Sequence, residues 1–199
     1  MSPQAVVFDL GKVVVDWDVA RAVGHLFESR AALEAELERI DFFAWNAEQD
    51  RGRPWEEGIA AGPDEAARLV FRTYRERIDV AHDRLVPGMG DLLRDLDRAG
   101  RPLYALTNGP VEATATMRAQ HDVMALFRDV LISAEEGVLK PDPAIYAALC
   151  ARNGLEPARC LFVDDIERNV EGARAFGMQA VRFTGADALR DALRGRGLL

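Results

Sequence analysis

The feature that most constrains this chain is a rhythm in which short, apolar, β-branched runs alternate with stretches of helical pattern. The runs lie at residues 5–8, 103–106, 130–132, 160–163 and 180–183. Uninterrupted apolar runs of this length match strands buried on both faces, as in a parallel sheet. The first run continues through Asp9-Leu10-Gly11 to Val13-Val14-Val15, which predicts a buried strand running into a turn. The intervening stretches carry helix punctuation. Leu92, Leu93 and Leu96 precede Gly100. Asp142-Pro143 occupies the N-cap and first-turn positions of a helix that Gly154 closes, and residues 169–176 place Val170, Ala173 and Phe176 on one face before Gly177. Strand and helix repeated in this way predict an α/β fold, a Rossmann-like doubly wound parallel sheet with helices on both faces.

One stretch breaks the rhythm. Residues 19–85 are helical in pattern, rich in Ala, Glu and Arg, and contain no strand-like run. They include Trp45, Trp55 and a turn at Ala61-Gly62-Pro63-Asp64, and they end at Val86-Pro87-Gly88, a predicted hinge. We read them as a small helical cap inserted after the first strand, with residues 1–18 and 86–199 forming the core. Trp45 and Trp55 are expected to pack within the cap, and the lone His25 near its start is expected to be structural.

Composition narrows the function classes. A chain of 199 residues, 49% hydrophobic and 29% charged, can bury a core of ordinary size and does not read as disordered or disulfide-framed. A net charge of -8 disfavours nucleic acid and anionic membranes as partners and favours a small molecule or a cation. Cys150 and Cys160 form no CxxC pair, and His25, His82 and His121 are scattered, so no zinc pattern appears. The start lacks a basic segment, and Asp9, Lys12 and Asp16 interrupt the apolar run behind it. The expectation is a cytoplasmic protein without signal peptide or membrane span, monomeric or homodimeric. Of 25 basic residues only Lys12 and Lys140 are lysine. A chain that otherwise uses arginine points to a need for an amine at those places.

Ligands of open parallel sheets bind beyond the C-terminal strand ends, and the polar residues of this sequence gather there. Asp9 follows the first run, Thr107-Asn108 the second, Lys140 lies in the loop after the third, and Asp164-Asp165 follow the fourth. A carboxylate such as Asp9 can attack phosphorus and split one hard displacement into two easier ones. Asp164 and Asp165 offer hard oxygens for Mg²⁺. Lys140 supplies a point charge, and the Thr107 hydroxyl and Asn108 amide can hydrogen-bond the transferring oxygens.

Four segments in order, Phe8-Asp9-Leu10-Gly11-Lys12-Val13, Leu106-Thr107-Asn108-Gly109, Lys140-Pro141-Asp142-Pro143 and Phe162-Val163-Asp164-Asp165 with Asn169-Val170-Glu171-Gly172-Ala173, resemble the motifs of the haloacid dehalogenase-like hydrolases. The resemblance covers nearly the whole chain. It implies Asp9 as nucleophile, Lys140 steadying nucleophile and phosphate, Thr107, Asn108 and Gly109 around the phosphoryl group, and Mg²⁺ held by Asp9, the Gly11 carbonyl and Asp165, with Asp164 a direct ligand or one step behind. The implied activity is a Mg²⁺-dependent phosphatase that forms an aspartyl phosphate on a small phosphorylated metabolite, such as a sugar phosphate.

The sequence departs from the family's phosphatases at Gly11, where a second Asp ordinarily protonates the leaving oxygen. Losing a positioned acid costs about 10²- to 10⁴-fold. The Asp-Leu-Gly segment with Asp16-Trp17-Asp18 behind it is similar to a subgroup that includes sugar-1-phosphate phosphatases, which share the glycine. A good leaving group would need the acid less, or Asp16, Asp18 or a cap carboxylate would replace it. Two other readings compete. One is a 2-haloacid dehalogenase with Asp9 attacking carbon, which resemblance would lead one to expect with an aromatic residue at Gly11 and Ser-Asn at Asp164-Asp165; the other is a catalytically weak phosphate-binding module. Lys12 reads either as a phosphate contact or as a solvated side chain, Trp17 as a wall of the substrate cavity, and Glu48, Asp50 and Arg51 as cap residues able to reach the site, Arg51 as a substrate contact.

Overall fold

The structure, a computed structural model, describes residues 3–199. In chain order it runs from β1 (Ala5–Phe8) through α1 (Val19–Val23), α2 (Arg30–Arg39), α3 (Phe42–Asp50), α4 (Trp55–Ala60), α5 (Glu65–Glu76) and α6 (Ile78–Ala81). Then come α7 (Met89–Arg98), β2 (Leu103–Thr107), α8 (Val111–Gln120), β3 (Phe127–Ile132), α9 (Ser133–Glu136), α10 (Pro143–Asn153), β4 (Cys160–Asp164), α11 (Glu167–Phe176), β5 (Gln179–Arg182) and α12 (Ala186–Arg194). The five strands form one parallel sheet in the order β3-β2-β1-β4-β5. Its central strand, β1, therefore lies where the chain changes direction across the sheet, and there the strand-end crevice opens. Among the described residues no helix is long and apolar enough to cross a membrane.

Side-chain alternation along β1 builds both layers. Val6 and Phe8 join a cluster with Leu92 and Leu96 of α7 and Leu189 and Leu193 of α12, while Ala5 and Val7 face Ile145 and Leu149 of α10 and Val170 of α11. The helices follow their local signals. In α7, Met89, Leu92, Leu93 and Leu96 are buried at i, i+3, i+4 and i+7, with Asp and Arg on the outer face. In α10, the Asp142 side chain accepts from Ala144 N, Pro143 opens the first turn, and left-handed Gly154 ends it.

The segment between β1 and α7 is helical, and an aromatic cluster holds it together. Trp45 stacks on Phe71 with centroids 3.9 Å apart and planes 4° apart, Phe42 meets Tyr74 edge-on at 5.1 Å, and Trp55 completes the group. Trp45 Nε1 donates to the Gly58 carbonyl at 2.8 Å, so the buried indole leaves no donor unpaired. The two connections to the core run side by side, with Asp16 N donating to Arg84 O and Val86 N to Val14 O. The strand that runs into a turn is as the sequence reading has it. The strand stops at Phe8, and Val13, Val14 and Val15 are buried in a turn whose amides converge on the Leu10 carbonyl.

Candidate active site

Asp9 extends β1 by one residue, its N–H donating to Val163 O at 2.8 Å. The tight turn behind it, with left-handed Lys12 at φ 60°, holds its carboxylate at the C-terminal edge of the sheet. From β2, the Asn108 amide exchanges two hydrogen bonds with the Lys140 backbone, donating to its carbonyl at 3.2 Å and accepting from its N–H at 2.9 Å. Asn108 is thus a strut that positions Lys140. The Lys140 ammonium lies 2.8 Å from Asp9 Oδ1, 2.8 Å from Asp164 Oδ2 and 3.0 Å from the Leu106 carbonyl. Its three donors meet three acceptors. Gly172 explains part of the last motif, because a Cβ there would lie 2.7 Å from Pro141 Cβ. Only a residue without a side chain lets α11 press against the loop that carries Lys140.

The electrostatics follow from burial. Burial pushes the Asp9 carboxyl up to about 7; Lys140 opposes the rise and Asp164 adds to it. For Lys140, burial acts against the charge, but Asp9 and Asp164 outweigh it and hold the ammonium above its ordinary value. Asp165 is raised by burial and by the neighbouring Asp164. One carboxylate oxygen each of Asp9, Asp164 and Asp165 lies within 4.8 Å of the others. Asp164 is already occupied, accepting from Lys140, Asn169 Nδ2 and Ile166 N. Asp9 and Asp165 are the ends of the cluster that open into the cavity. Three hard oxygens around one point, with one buried ammonium against three carboxylates, fit a small divalent cation.

A cavity of about 420 Å³ lies over this edge. Asp9, Gly11, Lys12, Trp17, Thr107, Asn108, Gly109, Lys140 and Asp165 all line it, and Asp164 sits beneath, fully buried. Lys12 Nζ lies 5.5 Å from the Trp17 ring, and Trp17 Nε1 donates to the Tyr74 hydroxyl at 3.1 Å. Arg51 requires correction. It points away from the cavity into a half-exposed ion pair with Glu48 at 2.9 Å, because α3 ends at Asp50 and the two face solvent one helical turn apart. Asp16 and Asp18 also lie elsewhere. Asp16 is paired with Arg21 at 2.9 Å, and Asp18 caps α1 through Ala20 N at 2.9 Å. The cap wall is made instead by Phe43, Asn46, Ala47, Asp50 and Tyr74, opposite Thr114 and Met117 of α8, with His82 and Arg168 at the sides. The sequence reading reached Asp50 but missed the others. The signal for Asn46 was its i, i+4 spacing from Asp50, legible only once the bounds of α3 are known.

Comparisons with known proteins match the sequence and the fold. The sequence model of the haloacid dehalogenase-like hydrolases matches residues 3–177. The chain belongs to that family. A phosphoglycolate phosphatase of Pseudomonas putida is 28% identical over 192 residues, covering 92% of this chain and 70% of the relative. An HAD family enzyme of Bacteroides thetaiotaomicron superimposes with a TM-score of 0.75 at 21% identity, covering 98% of this chain and 100% of the other. The L-2-haloacid dehalogenase of Xanthobacter autotrophicus, with chloropropionic acid covalently bound, superimposes at 0.67 with 22% identity, over 99% of this chain and 84% of the other. The fold is common to both kinds of enzyme, so the choice between their chemistries rests on the side chains.

Proposed function

We propose that this chain is a Mg²⁺-dependent phosphatase acting in the cytoplasm on a small phosphorylated metabolite, a sugar phosphate among the candidates, through an aspartyl phosphate. The observation that carries the reading is the cluster of Asp9, Asp164 and Asp165, of which Asp9 and Asp164 are buried and share the ammonium of Lys140. Asp9 attacks phosphorus, the bond to the leaving oxygen breaks, and water then hydrolyses the acyl phosphate to return the carboxylate. Lys140 holds the nucleophile in place and offsets its repulsion from an anionic substrate. Thr107 and the Gly109 backbone line the phosphoryl position, and Asn108 fixes the loop that carries Lys140. Asp9, the Gly11 carbonyl and Asp165 would hold Mg²⁺, with Asp164 behind them. When bound, the ion supplies charge neutralisation of the phosphoryl oxygens. The similarity to a phosphoglycolate phosphatase supports phosphorus over carbon as the target, as do the paired acids at Asp164-Asp165. The cavity has the size of an ordinary small-molecule site.

The test is a panel of phosphate esters assayed with Mg²⁺, with EDTA and with Asp9→Asn, beside a 2-haloacid. Phosphate release that needs the metal and vanishes in Asp9→Asn is the expected result. Halide release insensitive to EDTA would establish dehalogenation, and tight phosphate binding without turnover would make the chain a binding module.

A further inference from the structure

Gly11 leaves the site without a carboxyl two residues after the nucleophile, so the proton for the leaving oxygen must come from elsewhere. The carboxyls that line the cavity are Asp9, Asp50 and Asp165. Asp9 is the nucleophile of the reading above and Asp165 belongs to the metal cluster. Among the other proton-bearing groups of the lining, Lys140 is locked by three acceptors, Lys12 lies over the Trp17 ring, Arg168 is a guanidinium that keeps its proton, and burial raises the Tyr74 phenol well above its ordinary range. His82, its Nδ1 engaged with the Ile78 carbonyl, is held by burial below its ordinary value, which disfavours the protonated ring. Asp50 remains. It is the last residue of α3, and its carboxylate takes long hydrogen bonds from Asn46 Nδ2, at 3.3 and 3.2 Å, its only side-chain hydrogen-bond partner among the described residues.

The backbone around Asp50 is docked on the core. Ser133 Oγ, fully buried at the start of α9, donates to the Asp50 carbonyl and accepts from Gly109 N at 3.0 Å. One hydroxyl therefore links the end of α3 to the loop that carries Thr107, Asn108 and Gly109. Two residues on, Gly52 adopts φ +94° with its missing Cβ only 2.6 Å from the Ala134 carbonyl. Any side chain there would collide with backbone and lift the turn away. These contacts fix the end of α3 against the core, with Asp50 in the lining of the cavity that Asp9 also lines.

Resting on the phosphatase reading, we propose that Asp50, delivered from the cap, is the general acid that replaces the absent carboxyl at Gly11. As the bond from phosphorus to the substrate oxygen breaks, Asp50 gives its proton to that oxygen, releasing a neutral alcohol. Its carboxylate then takes a proton from the water that attacks the aspartyl phosphate. The P–O bond to Asp9 breaks, phosphate leaves, and both carboxyls return to their starting states. Burial, with Asp9 nearby and against the pull of Lys140 and the Asn46 hydrogen bonds, pushes the Asp50 carboxyl up to about 7, where an acid can both give and take a proton at neutral pH.

The experiment compares kcat/KM of wild type and the isosteric Asp50→Asn on an alkyl phosphate, whose leaving oxygen needs a proton, and on para-nitrophenyl phosphate, whose leaving oxygen does not. We expect a loss of about 10²- to 10⁴-fold on the alkyl ester and less than about tenfold on the nitrophenyl ester. Inhibition by vanadate should stay within about threefold of wild type, since that anion has no leaving alcohol. Equal losses on the two esters, no loss on either, or vanadate binding that weakens in step with turnover would overturn the assignment and leave the phosphatase reading standing. A wild-type enzyme that releases no phosphate from either ester would remove both.

Discussion

The two walls of the cavity are built by different physics. On the core side, charged groups stand at strand ends and are held by several partners each. Lys140 has three acceptors, Asp164 accepts from three groups, and Asn108 pairs with backbone on both its atoms. On the cap side the groups stand on helix faces with few partners. The Asn46 Oδ1 atom has none, and Phe43 is 58% exposed. A wall whose polar groups are satisfied from within is preorganised for one reaction. A wall with an unpaired acceptor has a group free to meet whatever ligand enters. Under the proposed function, the difference fits chemistry on the core side and substrate choice, with the proton proposed above, on the cap side.

This contrast can be broken most sharply at Asp9. Asp9→Asn should cut phosphate release by more than about 10⁴-fold, the scale of losing a covalent nucleophile; residual turnover within tenfold of wild type would mean that another group does the chemistry. Next comes the counter-charge. Lys140→Met leaves Asp9 and Asp164 buried without a cation and should cost about 3–5 kcal/mol of stability, read from the urea midpoint in EDTA. A midpoint shift below 1 kcal/mol would show that the core wall is not held by this cation.

Effects on the cap should be smaller. Trp45→Phe removes the Nε1 bond to the Gly58 carbonyl and part of the stack on Phe71, and about 1–3 kcal/mol should be lost in thermal unfolding. Its KM should rise more than its kcat falls; the reverse would place the cap aromatics in the chemical step. The smallest effect belongs to Arg51. Arg51→Ala breaks an exposed pair with Glu48, so stability should move by less than about 0.5 kcal/mol and the ranking of phosphate esters should not change. A reordered ranking would return Arg51 to the site.

The legibility of the protein in its sequence divides along the same line. Buried parallel strands leave a mark of consecutive apolar residues, so the positions of β1, β2, β4, most of β5 and the second half of β3 could be read directly, and so could the polar residue at each strand end. The turn at 10–15 was legible as a turn behind the first strand, but its form was not, because three valines look alike in a strand and in a buried turn. Only the convergence of their amides on Leu10 O tells the two apart. Arg51 and Asp50 are neighbours in sequence, yet one faces solvent and the other the cavity. The side of a helix that a residue occupies depends on where the helix begins, and α3 begins after a left-handed Asp41 that has no capping side chain to announce it.

The sequence by itself determined the alternating architecture, the four strand-end groups and the family, because strand burial and strand-end chemistry are local patterns along the chain. Tertiary structure decided that Lys140 bridges Asp9 and Asp164, that Asn108 braces it, and that Asp50 rather than Arg51, Asp16 or Asp18 reaches the cavity. Those facts join residues 24 to 131 positions apart, or turn on the facing of one helix against another layer. Such contacts are set by how the layers pack, and no local window of the chain contains both partners.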